Sequence, residues 1–285
     1  MYGLVPWMIW SKLTPPDKMN RIAQNVNCLL VELDGGEVGL VETGCGHANL
    51  YSEKERKIYA LSPGWPLAEA LFRHGVSLDD MAFVVMTHAH WDHAGGAGTA
   101  DDHGRRVSAF PNATHYLHTL EWQAATGGDP LLYKSYSART IEPLRELGDR
   151  LVTIDDDDVP LPGVLEGAGI KLVRSSGHTH GHCAIIFEGD DIELNHPEAD
   201  KVAGCTRFVY AGDICPTKHN LRLVFQTAYD THPLDTRAWK RKWLPEIAKR
   251  GDVLLFNHDP DLVGVTLVMR GEERFEIGQW LSVHS

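Results

Sequence analysis

The sequence predicts a mixed α/β fold in which β-sheets are covered by helices. Apolar runs rich in β-forming residues recur along the chain, and a hairpin signal comes first. Strands and helices then alternate, in an order that repeats after residue 150. The chain has 285 residues, which is enough to bury a full core without disulfides. We expect a single layered domain over residues 1–285.

The elements of the first half begin with a hairpin. Two β-rich runs, residues 26–33 and 37–42, flank an Asp-Gly-Gly turn signal at residues 34–36. A helix is predicted to open at Ser62 and Pro63 and to end at Gly75. Residues 82–86 are apolar throughout, which suits a strand buried on both faces. Residues 119–126 form a further predicted helix, which two glycines end.

The second half repeats this alternation. Further strands are predicted at 151–154, 170–173, 183–187, 207–211, 253–256 and 263–268. The acidic run at 155–158 is interpreted as a solvated turn. The last helix is predicted to begin at Asp235 or Thr236, to be kinked by Pro245 and to end at Gly251.

Charge and cysteine content disfavour several classes of protein. With 39 acidic and 27 basic residues the net charge is −12, whereas binding to nucleic acid or to an anionic membrane needs a basic surface. The five cysteines are odd in number and form no C-x-x-C pair, which favours reduced thiols and a cytoplasmic location. The apolar residues 1–10 lack a basic region and contain Pro6, so they are expected to be neither a signal peptide nor a membrane span.

A group of metal-binding residue types follows the predicted strand at 82–86. Residues 87–96 are T-H-A-H-W-D-H-A-G-G. In an extended segment, residues two apart point the same way, so His88 and His90 can share one cation. Asp92 and His93 follow where the chain must turn, and the two glycines permit close packing. Imidazoles and carboxylates suit zinc, and also iron or manganese. The segment therefore predicts a metal site.

Further candidate ligands follow later predicted strands. They are His178 after 170–173, Asp213 after 207–211 and His258 after 253–256. Taken singly, such an Asp is more often a helix cap and such a His is more often structural. Together they place ligand types at the carboxyl ends of several strands, where a layered α/β protein gathers its site.

With these motifs the chain resembles the metallo-β-lactamase-fold metallohydrolases. The matching segments are H-x-H-x-D-H-x-G-G at 88–96, G-H-T-x-G-H at 177–182, G-D at 212–213 and the late His258, in the order of the family. The resemblance implies an αββα sandwich of two mixed sheets that holds two metal ions. It assigns the ligands as follows: His88, His90 and His178 for the first ion, Asp92, His93 and His258 for the second, and Asp213 as the bridge.

The chain departs from the family pattern at several positions. Glu42 stands where the family has Asp in a D-T-G segment, and His180 replaces the family's proline. No spacing requires an eighth ligand, so we expect His180 to face solvent. His182 is interpreted as a structural hydrogen-bond donor and Cys215 as buried packing. Residues 189–204 are interpreted as a surface insertion.

The resemblance implies a hydrolase. Two divalent ions would share a bridging hydroxide as nucleophile, with zinc expected and iron, manganese or cobalt as alternatives. Asp213 and Asp92 are the predicted catalytic residues: Asp213 bridges the ions, and Asp92 orients the hydroxide and passes a proton to the leaving group. The layout and length resemble lactonase-type hydrolases, which open cyclic esters such as N-acyl homoserine lactones. A small ester or lactone is therefore the expected partner, and the resemblance makes a homodimer plausible.

The chain departs from the lactonase pattern at an expected substrate contact. Lactonases of this type carry a Tyr three positions after the bridging Asp, where this chain has Pro216. His219 and Tyr229 are candidate substrate-binding residues in its place. Two roles are considered for the aromatic residues Trp7 and Trp10, in the N-terminal extension at 1–20, and for Phe225. They either form the wall of a substrate pocket or pack in the core or a dimer interface, and we favour packing.

Two other functions stay open. The same hydroxide could attack a phosphotriester or an aryl ester. The cluster could instead be a closed structural metal site in a non-catalytic binding protein, although such sites have four ligands, often cysteines. Counting the bound metal ions separates this second reading from an enzyme.

Overall fold

The computed structural model describes residues 2–129, 131–132, 135–190, 192–194, 205–271 and 273–282. Its helices are α1 (Trp7–Leu13), α2 (Glu53–Tyr59), α3 (Pro66–Arg73), α4 (Thr119–Thr126), α5 (Ala138–Arg145) and α6 (Pro233–Arg250). Its strands are β1 (Leu29–Glu32), β2 (Val38–Val41), β3 (Met81–Val85), β4 (Gly98–Ala100), β5 (Arg106–Ser108), β6 (Thr114–His118), β7 (Leu151–Ile154), β8 (Asp158–Pro160), β9 (Ile170–Arg174), β10 (Cys183–Glu188), β11 (Arg207–Tyr210), β12 (Val253–Leu255), β13 (Leu262–Met269) and β14 (Phe275–Ser282). Residues 191 and 195–204 of the predicted insertion lie outside the described residues.

The chain divides into two compact units, residues 28–156 and residues 1–27 with 157–285. The first unit contains a sheet of order β1-β2-β3-β6-β7, in which β1 and β2 are antiparallel and the other neighbours are parallel. Apolar side chains of α3, α4 and α5 pack with those of the sheet in one core. Because β2 and β3 are parallel and Val41 pairs with Val85, the residues that follow these strands lie at one edge of the sheet.

The glycines of the histidine motif are required by close packing in this unit. The N–H of Gly96 donates to the carbonyl of Gly44 at 2.9 Å. A Cβ on Gly96 would lie 2.1 Å from the carbonyl oxygen of Thr43, and one on Gly95 would lie 2.8 Å from that of Cys45. Any side chain here would push the motif away from the segment that follows β2.

The second unit contains a sheet of order β14-β13-β12-β11-β10-β9-β8. Its neighbours are antiparallel except β11 and β12, which are parallel and pair Tyr210 with Leu255. Asp213 and His258 therefore both follow three residues after a paired position, at the same edge. The loop between β9 and β10 reaches this edge as well, since Ile185 of β10 pairs with Tyr210. Apolar side chains of α6 pack in one core with those of this sheet.

The predicted fold class is confirmed, because the chain forms mixed sheets with helices packed on them. Two predicted helix starts are wrong. Helix α3 begins at Pro66 and α6 at Pro233, where a proline fits the first helical position and its missing N–H costs nothing. Thr236 does not cap α6, because its hydroxyl donates to Asp230. Gly251 ends α6 in the left-handed conformation, as predicted.

All five cysteines lie in the described part of the chain, and none of them forms a disulfide. Over the same part of the chain, every helix is too short or too polar to cross a bilayer. The single-domain organisation over residues 1–285 stays a prediction.

Candidate metal centre

The three histidines of the motif lie together directly after β3. Their side chains are buried, and the ring centroid of His88 is 4.5 Å from that of His90 and 4.0 Å from that of His93. The segment turns rather than continuing as a strand, since the carbonyl of His90 accepts the N–H groups of His93 and Ala94 at 3.1 and 2.9 Å. The turn that the sequence predicts at Asp92 and His93 is therefore present, and it brings the ring of His93 close to that of His88.

Glu42 fixes the orientation of this cluster. It is buried and has a positive φ of 64°. Its Oε1 accepts the N–H of Thr87 at 3.0 Å and also the hydroxyl proton of Thr87. That hydroxyl, 2.9 Å from Nδ1 of His88, can then only accept a proton from the ring. His88 is thereby held in the tautomer whose Nε2 carries a lone pair, the form that binds a metal.

The donor atoms in this unit are close enough for a cation. Glu42, His88 and His93 each offer one ligand atom, and these atoms lie within 4.8 Å of one another. Oε1 of Glu42 is 3.5 Å from Nδ1 of His93, and Oδ1 of Asp92 is 4.0 Å from Nε2 of His93. Nitrogen and oxygen donors in this arrangement suit a divalent metal ion.

A second buried carboxylate supports the same segment from α4. Glu121 is fully buried, and its Oε1 accepts the N–H of Ala89 at 3.0 Å and the hydroxyl of Tyr136 at 2.8 Å. The ring of Tyr136 lies 5.1 Å from that of His90. Sequence reasoning assigned no role to Glu121, because nothing in its spacing links it to a segment 32 residues earlier.

In the second unit Asp213 lies between two imidazoles. Its Oδ2 is 3.2 Å from Nε2 of His178, and its Oδ1 is 3.2 Å from Nε2 of His258. Asn257 donates to the same Oδ1 from its side-chain amide at 2.7 Å. Each carboxylate oxygen of Asp213 therefore faces a different histidine.

His182 accepts a hydrogen bond from the backbone of Asp213. Its Nε2 accepts the backbone N–H of Asp213 at 3.0 Å, so its Nδ1 carries the proton and donates to the Ser175 hydroxyl at 2.6 Å. The structural role expected for His182 is confirmed. Its bond with the backbone N–H also positions Asp213.

The protonation pattern around Asp213 tests whether a metal fits. Nδ1 of His178 faces Oδ1 of Asp230 at 3.0 Å, and Nδ1 of His258 faces the carbonyl of Asn25 at 2.7 Å. Both partners are acceptors, so both imidazoles carry their proton on Nδ1. In the neutral rings the Nε2 lone pairs then face the carboxylate oxygens of Asp213. Buried lone pairs opposed in this way repel unless positive charge lies between them. These residues fit bound metal cations.

Asp230 is the partner that orients His178. Its side chain is fully buried and accepts the hydroxyl protons of Thr227 at Oδ1 and of Thr236, at 2.8 Å, at Oδ2. A carboxylate behind a histidine is a common partner of a metal ligand, because it fixes the tautomer and raises the basicity of the ring. The sequence carries no spacing signal for this contact, which spans 52 residues.

The predicted substrate residues have different surroundings. His219 is half-buried, its ring is 6.1 Å from that of Tyr2, and burial followed by the charge of Lys218 lowers its pKa. Tyr229 is 70% exposed. Pro216 offers no phenol, and its carbonyl accepts the N–H of His258 at 3.0 Å.

The remaining interpretations divide between core and surface. His180 faces solvent and Cys215 is buried in the core, both as predicted. Phe225 is buried against Tyr2, which agrees with a packing role. Trp7 does not belong to the core of this chain, since it is 57% exposed on α1.

Comparison with known proteins places the chain in a class. The sequence profile described as the metallo-beta-lactamase superfamily matches residues 21–192, more than half of the chain. The chain therefore belongs to the metallo-β-lactamase superfamily, as its motifs predicted. An N-acyl homoserine lactonase of Bacillus thuringiensis is 26% identical over 186 residues, which cover 62% of this chain and 63% of the lactonase. The chain thus spans less than two thirds of the length of that relative.

Solved structures agree on the fold. A probable metal-dependent hydrolase from Staphylococcus aureus superposes with a TM-score of 0.82 at 24% identity, covering 100% of this chain and 91% of that protein. AidC, described as a dizinc quorum-quenching lactonase, superposes with a TM-score of 0.64 at 19% identity, covering 92% of this chain and 80% of AidC. At these identities the likeness shows a shared fold.

Proposed function

We propose that the protein is a dinuclear metal-dependent hydrolase that opens cyclic esters, with N-acyl homoserine lactones as the substrate class. The observation that carries this proposal is Asp213, whose two carboxylate oxygens each face the Nε2 of a different imidazole. Membership of the superfamily supports metal-dependent hydrolysis. The B. thuringiensis lactonase and the dizinc AidC support the substrate class and zinc as the metal.

The proposed ligands are those that the motifs assign. His88, His90 and His178 would hold the first ion, Asp92, His93 and His258 would hold the second, and Asp213 would be a ligand of both. The bound ions would lower the pKa of a water nucleophile and polarise the ester carbonyl. Glu42 through Thr87 and Asp230 directly hold a proton on Nδ1 of His88 and His178, so that Nε2 of each ring is the atom that would bind a metal.

Asp92 is the proposed proton carrier. Its side chain is 26% exposed, whereas those of Asp213 and of the histidine ligands in the assigned set are buried or nearly so. A carboxylate that reaches solvent can take a proton from the attacking water and deliver it to the alkoxide that leaves when the ring opens. Asn257, which donates to Oδ1 of Asp213, keeps the bridging carboxylate in one rotamer.

The test is a metal count and an assay on the zinc-loaded protein. We expect two zinc ions per chain by elemental analysis, and proton release on a panel of lactones from short to long acyl chains at about 10⁴ M⁻¹s⁻¹ or above. Asp213→Asn and His178→Ala should lose metal and turnover together. His180→Ala is the matched control, because it removes an exposed imidazole two residues from His178 and should keep both.

Pro216 motivates a second candidate, a phosphotriester or aryl-ester hydrolase. The absence of a phenol at this position removes the group that contacts the substrate oxygen in the lactonases that the chain resembles. An aryl phosphotriester and an aryl ester are therefore included in the panel. Turnover of either one with no lactone turnover would replace the proposed substrate class. One tightly held ion with no turnover of any substrate would indicate a non-catalytic metal-binding protein.

A further inference from the structure

Lys240 is a fully buried lysine on α6 that the proposed reaction does not use. Its Nζ donates to three backbone carbonyls, those of Asn220 at 3.0 Å, Arg222 at 3.0 Å and Phe225 at 2.8 Å. An ammonium has three donors, so the charged lysine matches these three acceptors in number. All three acceptors belong to one segment, residues 217–230, which we call the 217–230 loop.

The 217–230 loop carries groups that the metal centre needs. Thr227 and Asp230 approach Nδ1 of His178 at 3.2 and 3.0 Å. His219, the candidate substrate contact, lies in the same loop and close to the anchored carbonyl of Asn220. The conformation of this loop therefore decides where Asp230 stands relative to His178.

Other bonds of the loop converge on the same anchor. The side-chain amide of Asn220 donates to the carbonyl of Phe225 at 3.1 Å, and the Thr217 hydroxyl donates to Oδ1 of Asn220 at 2.6 Å. From α6, Arg237 donates to Oε1 of Gln226 at 2.7 Å. The loop is thus closed on itself around the carbonyls that Lys240 binds.

Burial of this ammonium is unfavourable for stability. Desolvation lowers the pKa of Lys240 to about 8, against the opposing influence of Cys215 and Asp230, and Arg237 acts in the same direction as burial. A buried charge costs more than an apolar side chain of similar size. Its presence is better explained by the loop conformation that it specifies than by the stability of the fold.

We propose that Lys240 is a positioning residue, whose ammonium holds the 217–230 loop so that Thr227 and Asp230 meet His178 and His219 is placed for substrate. The part that concerns substrate rests on the function proposed above. The part that concerns His178 requires only that the protein binds metal.

The test compares Lys240→Met with Lys240→Arg, which keeps the charge and the donors. Lys242→Met is the matched control, because Lys242 is exposed on the same helix. Hydrogen exchange by mass spectrometry measures the protection of peptides in 217–230 and in β10 and β12. For Lys240→Met we expect a loss of loop protection and of zinc affinity of about tenfold each, with the strands unchanged. At saturating zinc, KM should rise more than kcat falls. Lys240→Arg should retain much of the loop protection and of the zinc affinity, and Lys242→Met should resemble the wild type.

Unchanged loop protection in Lys240→Met would overturn the proposal. So would an equal loss across loop and strands, or an arginine variant no better than the methionine one, since each of these results would mean that Lys240 only fills space. If Lys240→Met fails to fold, Lys240→Gln, which keeps two donors, is measured in the same way. A protein that turns over no lactone would refute the proposed function alone, because exchange and zinc affinity still decide the role of Lys240.

Discussion

Removing the carboxylate behind His178 should weaken metal binding without disturbing the fold. Oδ1 of Asp230 is 3.0 Å from Nδ1 of His178, and its side chain is fully buried. Asp230→Asn keeps the shape and loses the charge, whereas Asp230→Ala also leaves the hydroxyls of Thr227 and Thr236 without their acceptor. A hydrogen bond to a charged group contributes about 1.5–3 kcal/mol, which corresponds to roughly 10–100-fold in affinity. We expect about tenfold weaker zinc binding for Asp230→Asn and about 100-fold for Asp230→Ala.

The assay is competition for zinc against a chromogenic chelator, with circular dichroism of the same samples to verify folding. Asp235→Asn and Asp235→Ala are matched controls, because Asp235 is an exposed carboxylate on the first turn of α6. Both controls should bind zinc like the wild type. If a folded Asp230→Ala protein binds zinc as tightly as Asp235→Ala does, then Asp230 does not fix the tautomer of His178 for metal binding.

Three further predictions concern packing, the first histidine and pH. Gly96→Ala should lower the free energy of unfolding by about 3 kcal/mol or more in urea titrations, because its Cβ would lie 2.1 Å from the carbonyl oxygen of Thr43; unaltered stability would show that the segment yields. Thr87→Val removes the acceptor that fixes Nδ1–H of His88, and zinc affinity by chelator competition should fall about tenfold, while an unchanged affinity would mean that the turn alone orients the ring. The folded-state pKa of Lys240, about 8, is below its ordinary 10.5, so the unfolded chain binds more protons between these values. The free energy of unfolding of the wild type should therefore rise relative to that of Lys240→Met as the pH goes from 8 to 10.5, by on the order of 3 kcal/mol over the whole window. If the two proteins give parallel curves of unfolding free energy against pH, this prediction is wrong.

The local elements were largely predictable from the sequence. The hairpin of β1 and β2, the apolar β3, most strands of the larger sheet and the glycine end of α6 follow from periodicity and turn residues, which act over a few neighbours. Helix α2 was missed although its Ser52 and Glu55 form a capping box, a signal that is readable in the sequence. The prolines that begin α3 and α6 are also readable in the sequence, but other residues nearby were equally suitable as helix starts.

The candidate site was predictable only where its ligand types are close together in the chain or match a motif. His88, His90, Asp92 and His93 fall within six residues, so their composition alone indicates a metal site. The pairing of Asp213 with His178 and His258 depends on the register of β10, β11 and β12, which brings three distant segments to one edge.

The residues that orient the metal-ligand side chains were identified only by the tertiary structure. Asp230 behind His178, Glu42 acting through Thr87, and Lys240 beneath the 217–230 loop are single residues of common types, with no periodicity that marks them. Their roles arise because burial removes water, so that each polar atom must find its partners within the protein, and those partners are distant in sequence. The sequence by itself determined which metal-binding residues the protein carries. The tertiary structure determined which ring nitrogen of each oriented histidine carries the proton.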